Sequence, residues 1–135
     1  VSDAIYPAAK EKFLSGQLNW LSDPIVCLLV GTANYTFSSA HASLADVPTA
    51  ARIATSGTLT GRTATLGVAD AADISFGSVT GNIVNAVILY ANSGTALSSP
   101  LIAYLDTAVS GLPLNPNGAP IAITWDNGAS KIFVL

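Results

Sequence analysis

Ile83-Val84-Asn85-Ala86-Val87-Ile88-Leu89-Tyr90 is the stretch on which the fold turns. It is almost continuously apolar, rich in β-branched residues and too short for a typical buried helix. A strand with one wet face alternates apolar and polar side chains, so a run without alternation reads as a central strand covered on both faces. A second sheet would supply one cover, and a partner the other in an assembly.

Outward from this run the same grammar recurs. From Trp20 onward, short runs rich in Val, Ile, Thr and Leu are separated by clusters of Gly, Pro, Asn, Asp and Ser, at the spacing usual for sandwiches. Strands are expected near 25–31, 52–55, 58–60, 62–68, 72–76, 83–91, 100–106, 120–125 and 131–134. Thr58 to Leu66 places hydroxyls on alternate positions apart from a break at Gly61-Arg62, which predicts a half-exposed hairpin. Asp126-Asn127-Gly128, between Ile121–Trp125 and Lys131–Leu135, predicts a C-terminal hairpin. The one expected helix covers residues 7–15, with Pro7 suited to its first turn and Gly16 to its stop. Tyr6, Ala9 and Phe13 fall near one face of it, as in a strap laid on a sheet or a neighbouring subunit. Residues 32–51 have no clear period and are expected to form an outward excursion. These signals predict an all-β, two-sheet sandwich: one domain over residues 1–135, with an N-terminal helical segment over about 1–17.

Composition narrows the function. Half of the 135 residues are hydrophobic and 10% are charged, against roughly 25% charged in an ordinary soluble domain. A surface so poor in charge is expected to be partly covered in its working state, which points to assembly or self-association, a dimer before a trimer. Net charge is −3 and Lys10, Lys12, Arg52, Arg62 and Lys131 form no stripe, so nucleic acid is not expected as a partner. The longest apolar run, Ile25 to Val30, is far short of the roughly 20 residues of a spanning helix, and Val1 to Pro7 lacks a signal-peptide pattern. No membrane partner is expected.

Catalysis is not expected either. One His, one Cys, one Glu and seven Asp are dispersed along the chain, and no Gly-x-Ser-x-Gly elbow is present. His41, in Ser-Ser-Ala-His-Ala-Ser, reads as a loop residue. Cys27, within Ile-Val-Cys-Leu-Leu-Val, reads as a small buried hydrophobe. Asp70 and Asp73, with a third carboxylate such as Asp126, could offer oxygen ligands to calcium, but their spacing matches no EF-hand loop. Side-chain bonds to turn backbone are the preferred reading, and no metal or cofactor is expected. Trp20, Trp125, Tyr6, Tyr35, Tyr90 and Tyr104 would line a sugar-binding groove if exposed together. Core packing is the stronger reading, with the Trp125 ring buried and its N–H satisfied. Asn34-Tyr35-Thr36 is formally a glycosylation sequon and is read as chance.

Ser99-Pro100-Leu101-Ile102-Ala103-Tyr104-Leu105-Asp106, Gly111-Leu112-Pro113-Leu114-Asn115-Pro116-Asn117-Gly118 and Ile123-Thr124-Trp125-Asp126-Asn127-Gly128-Ala129-Ser130-Lys131-Ile132-Phe133 carry a further signal, extended upstream by Ala51 to Gly57 and Gly67 to Asp73. In these motifs the chain resembles a family of small tailed-phage and prophage virion proteins, and within it the capsid cement, or decoration, proteins of Bordetella-type podophages. The resemblance implies a jelly roll, with an immunoglobulin-like sandwich as the alternative. It also implies a protein on the outer surface of the virion that ties major capsid subunits together. Aromatic anchors commonly dominate interfaces, so the expected contacts are Tyr6, Phe13 and Trp20 near the N-terminus and Tyr35, Phe37 and Leu44 in the 34–48 excursion. A tail or fibre component and a carbohydrate-binding sandwich are the alternative functions.

Overall fold

The computed structural model describes residues 4–106, 109–110, 112–125 and 132–134. They form an all-β protein of antiparallel sheets with one short helix. In chain order the strands are β1 (Ala4–Ile5), β2 (Ile25–Val30), β3 (Arg52–Thr55), β4 (Val68–Ala69), β5 (Ile74–Ser78), β6 (Ala86–Ala91), β7 (Leu101–Leu105), β8 (Val109–Ser110), β9 (Pro120–Trp125) and β10 (Phe133–Val134). The helix, α1, spans Pro7–Leu14.

Five strands make the main sheet in the order β1-β7-β6-β2-β3. Its three central strands read Ile-Val-Cys-Leu-Leu-Val, Ala-Val-Ile-Leu-Tyr-Ala and Leu-Ile-Ala-Tyr-Leu, and every residue in them is buried. Residues 86–90 of the run that predicted a central strand thus lie between two equally apolar neighbours, while Ile83 is half exposed and Val84 bridges to Leu114 outside the sheet. Register aligns Leu28, Ile88 and Tyr104 across one face, and Cys27, Leu89 and Ala103 across the other. A second sheet, β5-β9-β8, alternates along β9: Ile121, Ile123 and Trp125 are buried, while Pro120 and Ala122 are exposed. Its buried side chains join the same continuous core as the main sheet.

Local signals account for α1. Pro7 occupies its first turn, and Gly16, at φ +80°, ends it. The Gln17 amide donates to the Lys12 carbonyl at 2.8 Å and the Gly16 amide to that of Phe13, the pairing in which a left-handed residue closes a helix. The outer edge of β7 is covered piecewise. Ala4 and Ile5 pair with Tyr104 and Ala103, the Tyr6 amide donates to the Ile102 carbonyl, and the Leu101 amide donates to the carbonyl of Ala42. Backbone groups that would otherwise template another strand are consumed within the chain.

Three expectations are corrected. The Thr58–Leu66 hairpin does not form: Thr63 bridges to Asp70, and Leu66 stands in solvent with φ +54°. Of that tract only Leu59 is buried, too little apolar surface to hold two strands on a core. The C-terminal hairpin is replaced by a longer-range pairing, Phe133 with Ala69 and Val134 with Val68, while β9 pairs with β5 and β8. The turn residues Asp126 to Lys131 lie outside the described residues. Finally, residues 32–51 do not project outward but lie along the fold, largely exposed and pinned to it at a few points. Tyr35 and Val47 are buried, two 3-10 turns cover Leu44–Asp46 and Thr49–Ala51, and the Leu44 amide donates to the Ser99 carbonyl at 2.9 Å.

Candidate interaction surface

Five of the six residues expected at a partner surface fall into two aromatic clusters, buried or partly buried within the chain's own fold. Tyr6, Phe37, Tyr35 and Tyr104 form the first. The Tyr6 and Tyr104 rings lie 5.0 and 5.4 Å from that of Phe37, and Tyr35 lies 6.2 Å from Tyr104. Leu44 packs half-buried against the same core. In the second cluster, the Phe133 ring lies 5.2 Å from Trp20, edge to face, and 6.4 Å from Phe13. Tyr6, Trp20 and Tyr35 are buried, and Phe13 and Phe37 are half-buried. Except for Tyr104 in β7, these aromatics lie outside the long strands and plug the gaps between strands, helix and loops, where flat rings fill irregular space.

The polar atoms of Tyr6, Tyr35 and Trp20 are satisfied locally. The Tyr6 and Tyr35 hydroxyls are 2.7 Å apart, and the Tyr35 hydroxyl is 2.9 Å from His41 Nδ1. Burial pushes the Tyr6 hydroxyl far above the usual tyrosine range, and the bond to Tyr35 adds to it; burial also raises Tyr35 and Tyr104. The Trp20 indole N–H donates to the carbonyls of Thr63 and Asp70, at 3.0 and 3.3 Å. That of Trp125 donates to the Ala72 carbonyl at 3.0 Å, as its buried position requires. Cys27 is fully buried and burial raises its thiol well above the usual range, the signature of a packing residue.

Charged side chains are also turned onto the backbone. Arg52 donates to the carbonyls of Val47 (3.0 Å) and Leu44 (2.9 Å), clamping the first 3-10 turn to β3. Arg62 donates to the carbonyls of Trp20 and Asp23, tying the segment before β2 to the 58–66 tract. The Asp46 carboxylate accepts from the Ala42 and Ser43 amides, which hold its pKa below the ordinary carboxylate value. Asp73 accepts from the Trp125 amide at 3.1 Å. This is a side-chain-to-backbone bond as expected, but it spans two strands and not one turn. Asp126, the third residue of the calcium alternative, lies outside the described residues. Among the described residues, no three His, Cys, Asp or Glu side chains gather as they would around a metal ion.

What the interior withholds from solvent, several leucines supply. Leu66, Leu14 and Leu97 are 95%, 86% and 84% exposed, and Leu21, Ile83 and Val134 are about half exposed. An open cleft of about 600 Å³ lies at the end of the main sheet where β2 and β7 begin and β6 ends, and Leu97 stands on its rim. The search for aromatic anchors missed these residues. A lone leucine inside the turn-forming run Asn92-Ser93-Gly94-Thr95-Ala96-Leu97-Ser98-Ser99 is the signal that would have found the last of them. Chemically the arrangement favours burial against another apolar surface. Comparison of the sequence with protein-family models and with curated proteins finds no match.

Proposed function

We propose that the chain is a structural virion protein that binds the outside of an assembled phage capsid and stabilises it by bridging major capsid subunits, and that its sheets form a two-layer sandwich of jelly-roll type. One observation carries the binding part of this reading. The guanidinium groups of Arg52 and Arg62 and the carboxylates of Asp46 and Asp73 bond the chain's own backbone, while several large aliphatic side chains stand in solvent. A surface built in this way gains free energy by covering apolar area, at roughly 25 cal/mol per Å². The capsid placement is supported by the motifs at 99–106, 111–118 and 123–133 that resemble virion proteins. The sandwich is supported by the five-stranded and three-stranded sheets, which share one core together with the β4–β10 pair. Contact with two or more shell subunits at once would add a multivalent tie against the pressure of packaged DNA.

Co-sedimentation of the purified protein with capsids that lack it, followed by a heat or salt challenge of decorated and bare shells, tests this reading. Saturable binding with a more resistant shell is the expected outcome. Failure to bind any capsid state would remove it and favour a tail or fibre component.

A further inference from the structure

The loop between β6 and β7 is built to hold one leucine out. Ser99 is buried, and its hydroxyl accepts from the Ser93 amide at 3.0 Å and donates to the Thr95 carbonyl at 2.7 Å. The Ser93 hydroxyl lies 2.6 Å from that of Ser98, and Asn92 Oδ1 accepts from the Gly94 amide at 3.0 Å. So many bonds within eight residues leave the loop little freedom, and Leu97 pays little conformational entropy when something covers it.

The cleft that Leu97 helps to line is mixed in character, with Leu18, Pro24 and Pro100 beside Ser43, Asn92 and Ser98. Two charged side chains line it, Lys12 and Asp23. Lys12 Nζ donates to Gln17 Oε1 at 3.2 Å, and Asp23 accepts from the Asn19 amide at 2.8 Å, so the cation and anion satisfy neighbours and not each other. One face therefore carries a knob, a hole, a positive group and a negative group. Such a face is self-complementary: a two-fold axis brings the knob of each copy to the hole of the other, and each Lys12 toward the partner's Asp23.

We infer that this end of the main sheet is a two-fold dimer surface, with Leu97 of each copy seated in the cleft of the other and Lys12 facing Asp23 across the axis. The occupant is a second copy of this chain. The inference does not depend on the capsid reading.

Sedimentation velocity of the full chain, from about 1 to about 500 μM, tests it; a small patch of this kind gives association in roughly the micromolar range or weaker. A reversible monomer–dimer equilibrium that stops at two copies is expected. Leu97→Asp should weaken dimerisation at least about tenfold, since the apolar area that the leucine buries is lost and a carboxylate is desolvated in its place. Leu66→Asp, at an equally exposed leucine elsewhere, should leave it unchanged. Lys12→Glu and Asp23→Lys should each weaken self-association, and mixing the two variants should restore a heterodimer, because both cross-axis contacts become attractive again. A wild-type monomer throughout, open-ended growth, equal effects at Leu97 and Leu66, or no recovery on mixing would each overturn it.

Discussion

The hydroxyl of Tyr6 lies 2.7 Å from the hydroxyl of Tyr35, joining the residue that starts the helix to the segment that covers the main sheet. Tyr6 is fully buried, and Tyr35 in turn meets His41 Nδ1. Tyr35→Phe strips the buried Tyr6 hydroxyl of this bond and should cost about 1–3 kcal/mol, the range for an unsatisfied buried polar group. Tyr6→Phe leaves Tyr35 its bond to His41 and should cost about 1 kcal/mol. The double variant should cost less than the sum. Denaturant unfolding of the four proteins measures this; strict additivity would show that the hydroxyls are not coupled.

Alkaline pH should unfold the protein through the same tyrosines. Burial raises Tyr6, Tyr35 and Tyr104 above the ordinary value of 10.0. The folded state thus keeps protons that the unfolded state loses. Their stabilisation is fully present below about pH 10 and falls as pH rises from there toward the folded values, by about 1.4 kcal/mol per pH unit for each tyrosine still protonated in the fold. Unfolding followed from about pH 8 to about pH 12, with tyrosinate absorbance recorded in parallel, should show ionisation and unfolding together. Titration of all the tyrosines in a protein that stays folded would contradict it.

Arg52 and Asp46 hold the covering segment by different chemistry. Arg52→Met removes two charge-assisted bonds to carbonyls and should cost about 1.5–3 kcal/mol. Asp46→Ala frees the amides of Ala42 and Ser43. Native-state hydrogen exchange should then speed at those two amides and leave the amides of the buried β6 protected. Equal acceleration in both places would mean that the segment and the sheet open as one unit.

Cys27 should be inert until the chain unfolds. Its thiol is fully buried in β2 and burial disfavours the thiolate. Labelling by a thiol reagent should track global unfolding across a denaturant series. Rapid labelling without denaturant would show that β2 is reached by local opening.

How much of this was legible depends on the range of the forces involved. The unbroken apolar run of β6 named a central strand, because burial on both faces leaves its mark on every residue of a strand; β2 and β7 were legible as strands, and the structure made them its neighbours. Pro7 and Gly16 bounded the helix, and Trp125 and Cys27 behave as their neighbours indicated. The leucines at 14 and 66 were not legible, since side chains placed outside a core leave no periodic pattern; Leu97 was marked only by its place in a turn-forming run. Tyr6, Trp20 and Tyr35 were expected at a partner surface for the converse reason: an aromatic ring that fills a gap between elements follows no period either.

By itself, then, the sequence determined the buried strands of the main sheet and the bounds of the helix, because hydrophobic period and backbone preference act within a few neighbours. Only the tertiary structure decided the pairings. Phe133 reaches Ala69 and not the adjacent strand, Asp73 answers the amide of Trp125, and residues 32–51 close over the sheet. Each of these choices depends on which apolar faces and backbone edges remain open once the central strands have met, and that competition is settled across the whole chain.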